Sequence, residues 1–133
     1  GDVAGAIAVG QPDSGVDLLI GVGGTPEGVI AACALRCSDA EIFGRLQPRD
    51  EKERQAAIDF GHDLDRILTT TDLVWGDNVF FGATGVTEGA LLPGVRFQPT
   101  SVVTWSLSMR SRSGAVRLIQ TRHDRSRSNL ISH

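Results

Sequence analysis

Apolar positions fall in runs along this chain, and their rhythm changes in its last third. Residues 16–22 carry Val16, Leu18, Leu19, Ile20 and Val22, interrupted early by Asp17. An apolar run of that length predicts a strand in a sheet covered on both faces. Residues 26–37 follow with Val29, Ile30, Ala31, Ala32, Cys33, Ala34, Leu35 and Cys37. Apolar residues almost all the way round predict a helix buried between layers. Ahead of the strand, small apolar residues over 3–10 predict a short helix that Asp2 would cap. Residues 41–46, with Ile42, Phe43 and Leu46, predict the next strand. Helix, strand, helix, strand is the order of an α/β layered fold.

Polar character then rises. Residues 50–60 predict a surface helix with acids in its first turn, stopped by Gly61. Thr69-Thr70-Thr71-Asp72 predicts a short helix with a threonine cap, and residues 78–84 a strand. Residues 95–97, 102–109 and 115–120 alternate and are bounded by turns, which predicts antiparallel sheet. Ser111-Arg112-Ser113-Gly114 is the expected hairpin connection. From Thr121 to His133 the chain is rich in Arg and Ser, which predicts a polar, disordered tail behind a domain of residues 1–120.

The stretch Gly21-Val22-Gly23-Gly24-Thr25-Pro26-Glu27-Gly28 joins the first strand to the long helix. Thr25 suits the N-cap and Pro26 the first helical position. A glycine turn lets the backbone approach a ligand, and the free N–H groups of a helix start suit a phosphate. Glu27 sits beside that surface. A carboxylate next to a phosphate is repulsive unless a cation lies between them, and a hard divalent metal is the obvious cation. The other role open to Glu27 is an acid that complements the helix dipole. No Gly-Lys-Ser/Thr follows, so the turn is not a P-loop, and Pro26 occupies the third glycine position of a dinucleotide fingerprint.

Length and charge narrow the classes. A chain of 133 residues makes one domain with a real core. No run is long enough to span a membrane, and no basic leader precedes an apolar stretch. The chain begins with Gly1 instead of Met, which points to processing, excision or an incomplete chain. The net charge of −3 is uneven, with 7 basic and 15 acidic residues up to position 100 and 6 basic against 1 acidic beyond it. The basic end has no Lys and intersperses its arginines with strand residues, which argues against nucleic acid. Cys33 and Cys37 share a helix face without a second cysteine pair or a nearby His. They read as small buried side chains in a reducing cytosol.

Other candidates have ordinary roles available. His62, His123 and His133 are scattered and read as surface histidines. Ser106, Ser108, Ser111 and Ser113 lack nucleophile-elbow spacing. Arg110 and Arg112 sit at a turn, where they would clamp a phosphate or simply be exposed. Trp75 and Trp105 read as packing or edge residues.

Taken together, the blocks resemble a known family. Gly1-Asp2-Val3-Ala4-Gly5-Ala6-Ile7 and Gly23-Gly24-Thr25-Pro26-Glu27-Gly28-Val29-Ile30-Ala31-Ala32 are similar to the class II fructose-1,6-bisphosphatases, closest in flavour to the actinobacterial members. So are Gly44-Arg45-Leu46, Pro48-Arg49-Asp50-Glu51, Asp63-Leu64-Asp65-Arg66, Gly76-Asp77-Asn78-Val79-Phe80-Phe81, Ala83-Thr84-Gly85-Val86-Thr87 and Met109-Arg110-Ser111-Arg112-Ser113-Gly114. The match runs in order to about residue 120 and covers the family's C-terminal portion.

The resemblance implies a layered αβαβα sugar-phosphatase fold, with a mixed sheet and antiparallel C-terminal strands. It implies hydrolysis of the 1-phosphate of fructose 1,6-bisphosphate in gluconeogenesis, in the cytoplasm, with Mn2+ or Mg2+. Glu27 matches the family's metal-ligand glutamate and Gly24 a substrate-contacting glycine. Gly1 and Asp2 match the end of an Asp-Gly-Asp motif whose aspartate would hold sugar hydroxyls. The family's catalytic threonine and other acidic ligands match nothing in this chain, so no catalytic residue is expected here. The implied partners are the missing N-terminal half and further copies in a homo-oligomer, with no nucleic acid and no membrane. The tail after Gln120 departs from the family pattern, and so does Trp105.

Overall fold

The computed structural model describes residues 3–127. Two helices open the chain: α1 (Val3–Val9) and α2 (Thr25–Arg36). A pair of short strands, β1 (Phe43–Gly44) and β2 (Leu68–Thr69), flanks helix α3 (Glu51–Asp59), and α4 (Thr70–Leu73) follows directly. The remainder is sheet: β3 (Phe80–Thr84), β4 (Arg96–Phe97), β5 (Ser101–Arg110) and β6 (Ala115–Asp124). The class is α/β, and every strand pairing among the described residues is antiparallel.

Strand β5 is the spine of the larger sheet. It pairs along its whole length with β6, from Ser101 opposite Asp124 to Arg110 opposite Ala115. Its other edge is shared by β3, which takes Ser106 to Arg110, and β4, which takes Val102 and Val103. The β5–β6 turn closes at Gly114, whose φ of +61° is a left-handed conformation that favours glycine. Alternation sorts the faces. Phe81, Leu107 and Met109 point to one side and pack with Ile7 of α1 and with Ala34 and Cys37 of α2. On the other side Thr84 and Ser106 share a hydroxyl–hydroxyl bond of 2.8 Å.

Local sequence explains the helices. The Asp50 carboxylate accepts from the Glu53 N–H at 2.8 Å, which caps α3. Asp72 accepts from the N–H and the hydroxyl of Thr69, each at 2.9 Å, and so fastens the start of α4. The buried face of α2 is small, with Ala31, Ala32 and Ala34, so the helix can lie close to the sheet. Cys37 donates its S–H to the Val79 carbonyl at 3.6 Å.

Three expectations change. Residues 16–22 form no strand. From residue 17 to residue 23 no backbone group bonds to any described residue, and Leu18 is 73% and Ile20 86% exposed. A strand is made by its neighbours, and no described segment lies beside this one. The strand expected over 41–46 shrinks to Phe43 and Gly44, because β2 offers only two residues to pair with. The tail expected from Thr121 starts later, since Thr121 to Asp124 pair with Thr104 to Ser101. Residues 128–133 of that tail lie outside the described residues.

Candidate functional site

The glycine-rich turn delivers the chain into α2 one residue earlier than the cap preference suggests. Gly24 is the N-cap, with φ −70° and ψ 157°, so Thr25 is the first helical residue and Pro26 the second. The correction has a simple cause. The N–H groups of the first helical turn have no intrahelical partner, so Pro26 loses nothing at the second position either. The first helical bond runs from Gly28 N–H to the Gly24 carbonyl at 3.1 Å. The amides of Thr25 and Glu27 are left open at the helix start.

Glu27 stands three residues after Gly24, and helical spacing folds its carboxylate back over the cap. A Cβ placed on Gly24 would lie 2.3 Å from the Glu27 carboxylate oxygen Oε2. The glycine therefore leaves room that any side chain would occupy. The Glu27 carboxylate is exposed and makes no hydrogen bond or ion pair with a described residue. Both residues line a cavity of about 180 Å3 together with Val3, Leu19, Gly21 and Ile42. Gly1 and Asp2, the other expected substrate contacts, lie outside the described residues.

An open carboxylate at a helix start is a good single ligand for a hard cation, but such a cation takes about six or more oxygens. Among the described residues no three of His, Cys, Asp or Glu are grouped to hold a metal. Glu27 thus fits as one donor, and the described residues do not complete a metal site.

A larger cavity, of about 650 Å3, is lined by Thr25 and Val29 of the same helix. His62, Asp63 and Arg66 line it beside Val29 and Leu73. Sequence spacing gave no sign of it, because it is assembled from α2, α3 and α4. Glu53, Arg66 and Asp72 in its lining are already paired. Arg66 pairs with Asp72, and Arg49 pairs with Glu53, donating from Nε to Oε1 at 2.9 Å. The Thr69 N–H and hydroxyl, with help from Arg66, hold the Asp72 carboxyl below its ordinary range. The Arg49 guanidinium does the same to Glu53.

Several other residues hold the fold together. Arg110 donates from Nε to Asn78 Oδ1 at 2.9 Å and lies over the Phe80 ring at 4.8 Å. Ser111 accepts from the Val79 N–H and donates to the Asp77 carbonyl, locking the β3 and β5 ends. Trp105 is covered by the Arg96 guanidinium at 4.9 Å. His123 bonds the Thr104 hydroxyl across the sheet, and His133 lies outside the described residues. Trp75 departs from expectation: it packs against little and is 96% exposed. Burial pushes the Cys33 and Cys37 thiols up, in keeping with inert side chains, and both are free. No helix among the described residues is long and apolar enough to cross a membrane.

Comparison with known proteins identifies a family. The sequence model of the family described as bacterial fructose-1,6-bisphosphatase, glpX-encoded, matches residues 1–123. Fructose-1,6-bisphosphatase class 2 of Haemophilus influenzae is 38% identical over 136 aligned positions, which cover 92% of this chain and 41% of that one. Fructose-1,6-bisphosphatase 1 class 2 of Escherichia coli K12 is 37% identical, with 92% and 40% covered. The chain spans about two-fifths of the length of these curated relatives.

Proposed function

The chain belongs to the bacterial, glpX-encoded fructose-1,6-bisphosphatase family, and from that we propose that it supplies one wall of a metal-dependent sugar-bisphosphatase active site. The reaction is hydrolysis of the 1-phosphate of fructose 1,6-bisphosphate to fructose 6-phosphate, a cytoplasmic step of gluconeogenesis. Residues 1–120 act as the C-terminal portion of the catalytic domain, within a longer enzyme that assembles as a homo-oligomer.

The observation that carries this reading is the pairing of Gly24 with Glu27, an open carboxylate folded over a side-chain-free cap. Glu27 would be one of the residues that hold Mn2+ or Mg2+, and Gly24 keeps the cap clear for substrate. Gly1 and Asp2 hold sugar hydroxyls. A divalent ion, when bound, supplies charge neutralisation for the phosphoryl oxygens and an activated water. The amides of Thr25 and Glu27, without a described partner, favour an anion at that end of the helix.

One carboxylate cannot hold such a site, so the chain alone is inactive and needs the remaining part of the family's chain. Phosphate release from fructose 1,6-bisphosphate, with Mn2+ or Mg2+, tests this. The expected result is none from the 133-residue chain and turnover when the remaining portion is present. Turnover by the chain alone would overturn its incompleteness. A completed, folded protein that hydrolyses no sugar bisphosphate would overturn the reaction. Tight, metal-independent phosphate binding that survives Glu27→Gln would instead favour a non-catalytic binding module.

A further inference from the structure

We propose that residues 17–22 are an interior strand whose two neighbours come from the part of a glpX-type chain that this chain does not span. The proposal rests on the family reading above and deepens it by naming the surface through which the remaining chain docks.

The backbone states the requirement first. From residue 17 to residue 23 neither N–H nor carbonyl meets a described partner. The segment therefore has two open hydrogen-bonding edges. Its side chains state the second requirement. Leu19 and Gly21 line the cavity beside α2 together with Val3, Ala31 and Ile42. Leu18 and Ile20 are turned out, 73% and 86% exposed. Exposed leucines and isoleucines are unremarkable singly, but here they follow one another at strand spacing on an unpaired backbone. An apolar run with an unpaired backbone on both sides suits a strand inside a sheet.

The occupant follows from what could fill both edges. A second copy, pairing through the same segment, would satisfy one edge of each strand and leave the other bare. A larger polypeptide can offer strands to both sides and a layer to cover Leu18 and Ile20. The relatives carry such a polypeptide: about three-fifths of their length lies outside the aligned region. The segment also runs directly into Gly21, Gly23 and Gly24, all of which line the cavity with Glu27. Strands that pair with residues 17–22 therefore end beside the Glu27 carboxylate, where further acidic ligands are needed.

The experiment is co-expression of the 133-residue chain with the unmatched portion of the Escherichia coli relative, read by size-exclusion chromatography and hydrogen exchange. Alone, the amides of residues 17–22 exchange at nearly unprotected rates. In the complex they slow by at least about 100-fold. Ile20→Asp abolishes the complex without unfolding the chain, since that side chain is already in water, and a melting curve checks this. Leu118→Asp, at an exposed position on β6, leaves the complex intact. Failure to form a complex would overturn the proposal. So would a complex in which residues 17–22 stay unprotected, or protection of the lone chain that grows with its concentration. A protected complex without phosphatase activity would sink the reaction and leave the docking surface standing.

Discussion

The Glu27 carboxylate occupies the space that a side chain on Gly24 would need, with Oε2 2.3 Å from that side chain's first carbon. The two residues are therefore one unit. Gly24→Ala should push the carboxylate aside while costing the fold less than about 1 kcal/mol, because the N-cap makes no side-chain bond to lose. Glu27→Gln keeps the shape and removes the charge. In the completed enzyme both should reduce Mn2+ affinity and turnover, Glu27→Gln by at least about 100-fold, following the usual sensitivity of metal sites. Metal titration beside phosphate release measures both. Unchanged metal affinity in Glu27→Gln would remove Glu27 from the site.

Met109 is 1% exposed and joins α1 and α2 to the sheet. Met109→Ala should cost about 2–5 kcal/mol in urea unfolding. Met109→Leu, which nearly preserves volume, should cost less than about 1.5 kcal/mol. Equal losses would mean the core is not packed around that side chain.

Asp72 gives a pH dependence. Its carboxyl is held down in the folded chain, first by the Thr69 N–H, then by the Thr69 hydroxyl and Arg66. A carboxylate with a lowered folded pKa contributes stability that is present above its unfolded value and lost as pH falls through the folded one. Stability should therefore decline on acidification below about 4, the ordinary aspartate range. In Asp72→Asn that part of the decline should vanish. Melting temperatures from pH 7 down to pH 3 test it, and identical acid limbs for the two proteins would refute it.

The thiols are the fourth case. Burial raises both Cys33 and Cys37, so little thiolate is present at neutral pH. Iodoacetamide should label the folded chain at least about tenfold more slowly than the urea-unfolded chain. Rapid labelling of Cys37 under native conditions would mean that the α2–sheet contact opens readily.

Sequence reasoning reached features that are local in origin. The helices at residues 50–60 and 69–72 are legible because their starts depend on bonds within three residues, although the Asp50 cap itself and the Asp72–Thr69 bond appear only in the structure. The Gly24–Glu27 contact is local too, because a cap and the third helical residue always share a face. Placement of Thr25 failed by one residue because Pro26 tolerates two helical positions and Gly24 forms a cap without a side-chain oxygen. Residues 16–22 failed for a different reason. Their composition describes the surroundings they suit, and those surroundings are not among the described residues. The end of β6 was missed because Thr121 to Asp124 are polar and owe their order to β5 across the sheet. The larger cavity and the exposed Trp75 depend on how α2 and α4 meet, which no window of sequence contains.

The outer edge of β6 has ten residues and no described strand beside it. A bare edge of that length is a template for aggregation. Arg117 and Arg122 are spaced along it, so two copies that align these edges antiparallel bring cation against cation. The edge is guarded by charge. Residues 18–22 carry no charge at all. Of the two segments with an unpaired edge in this molecule, one repels its own kind, and the other is left undefended until something covers it.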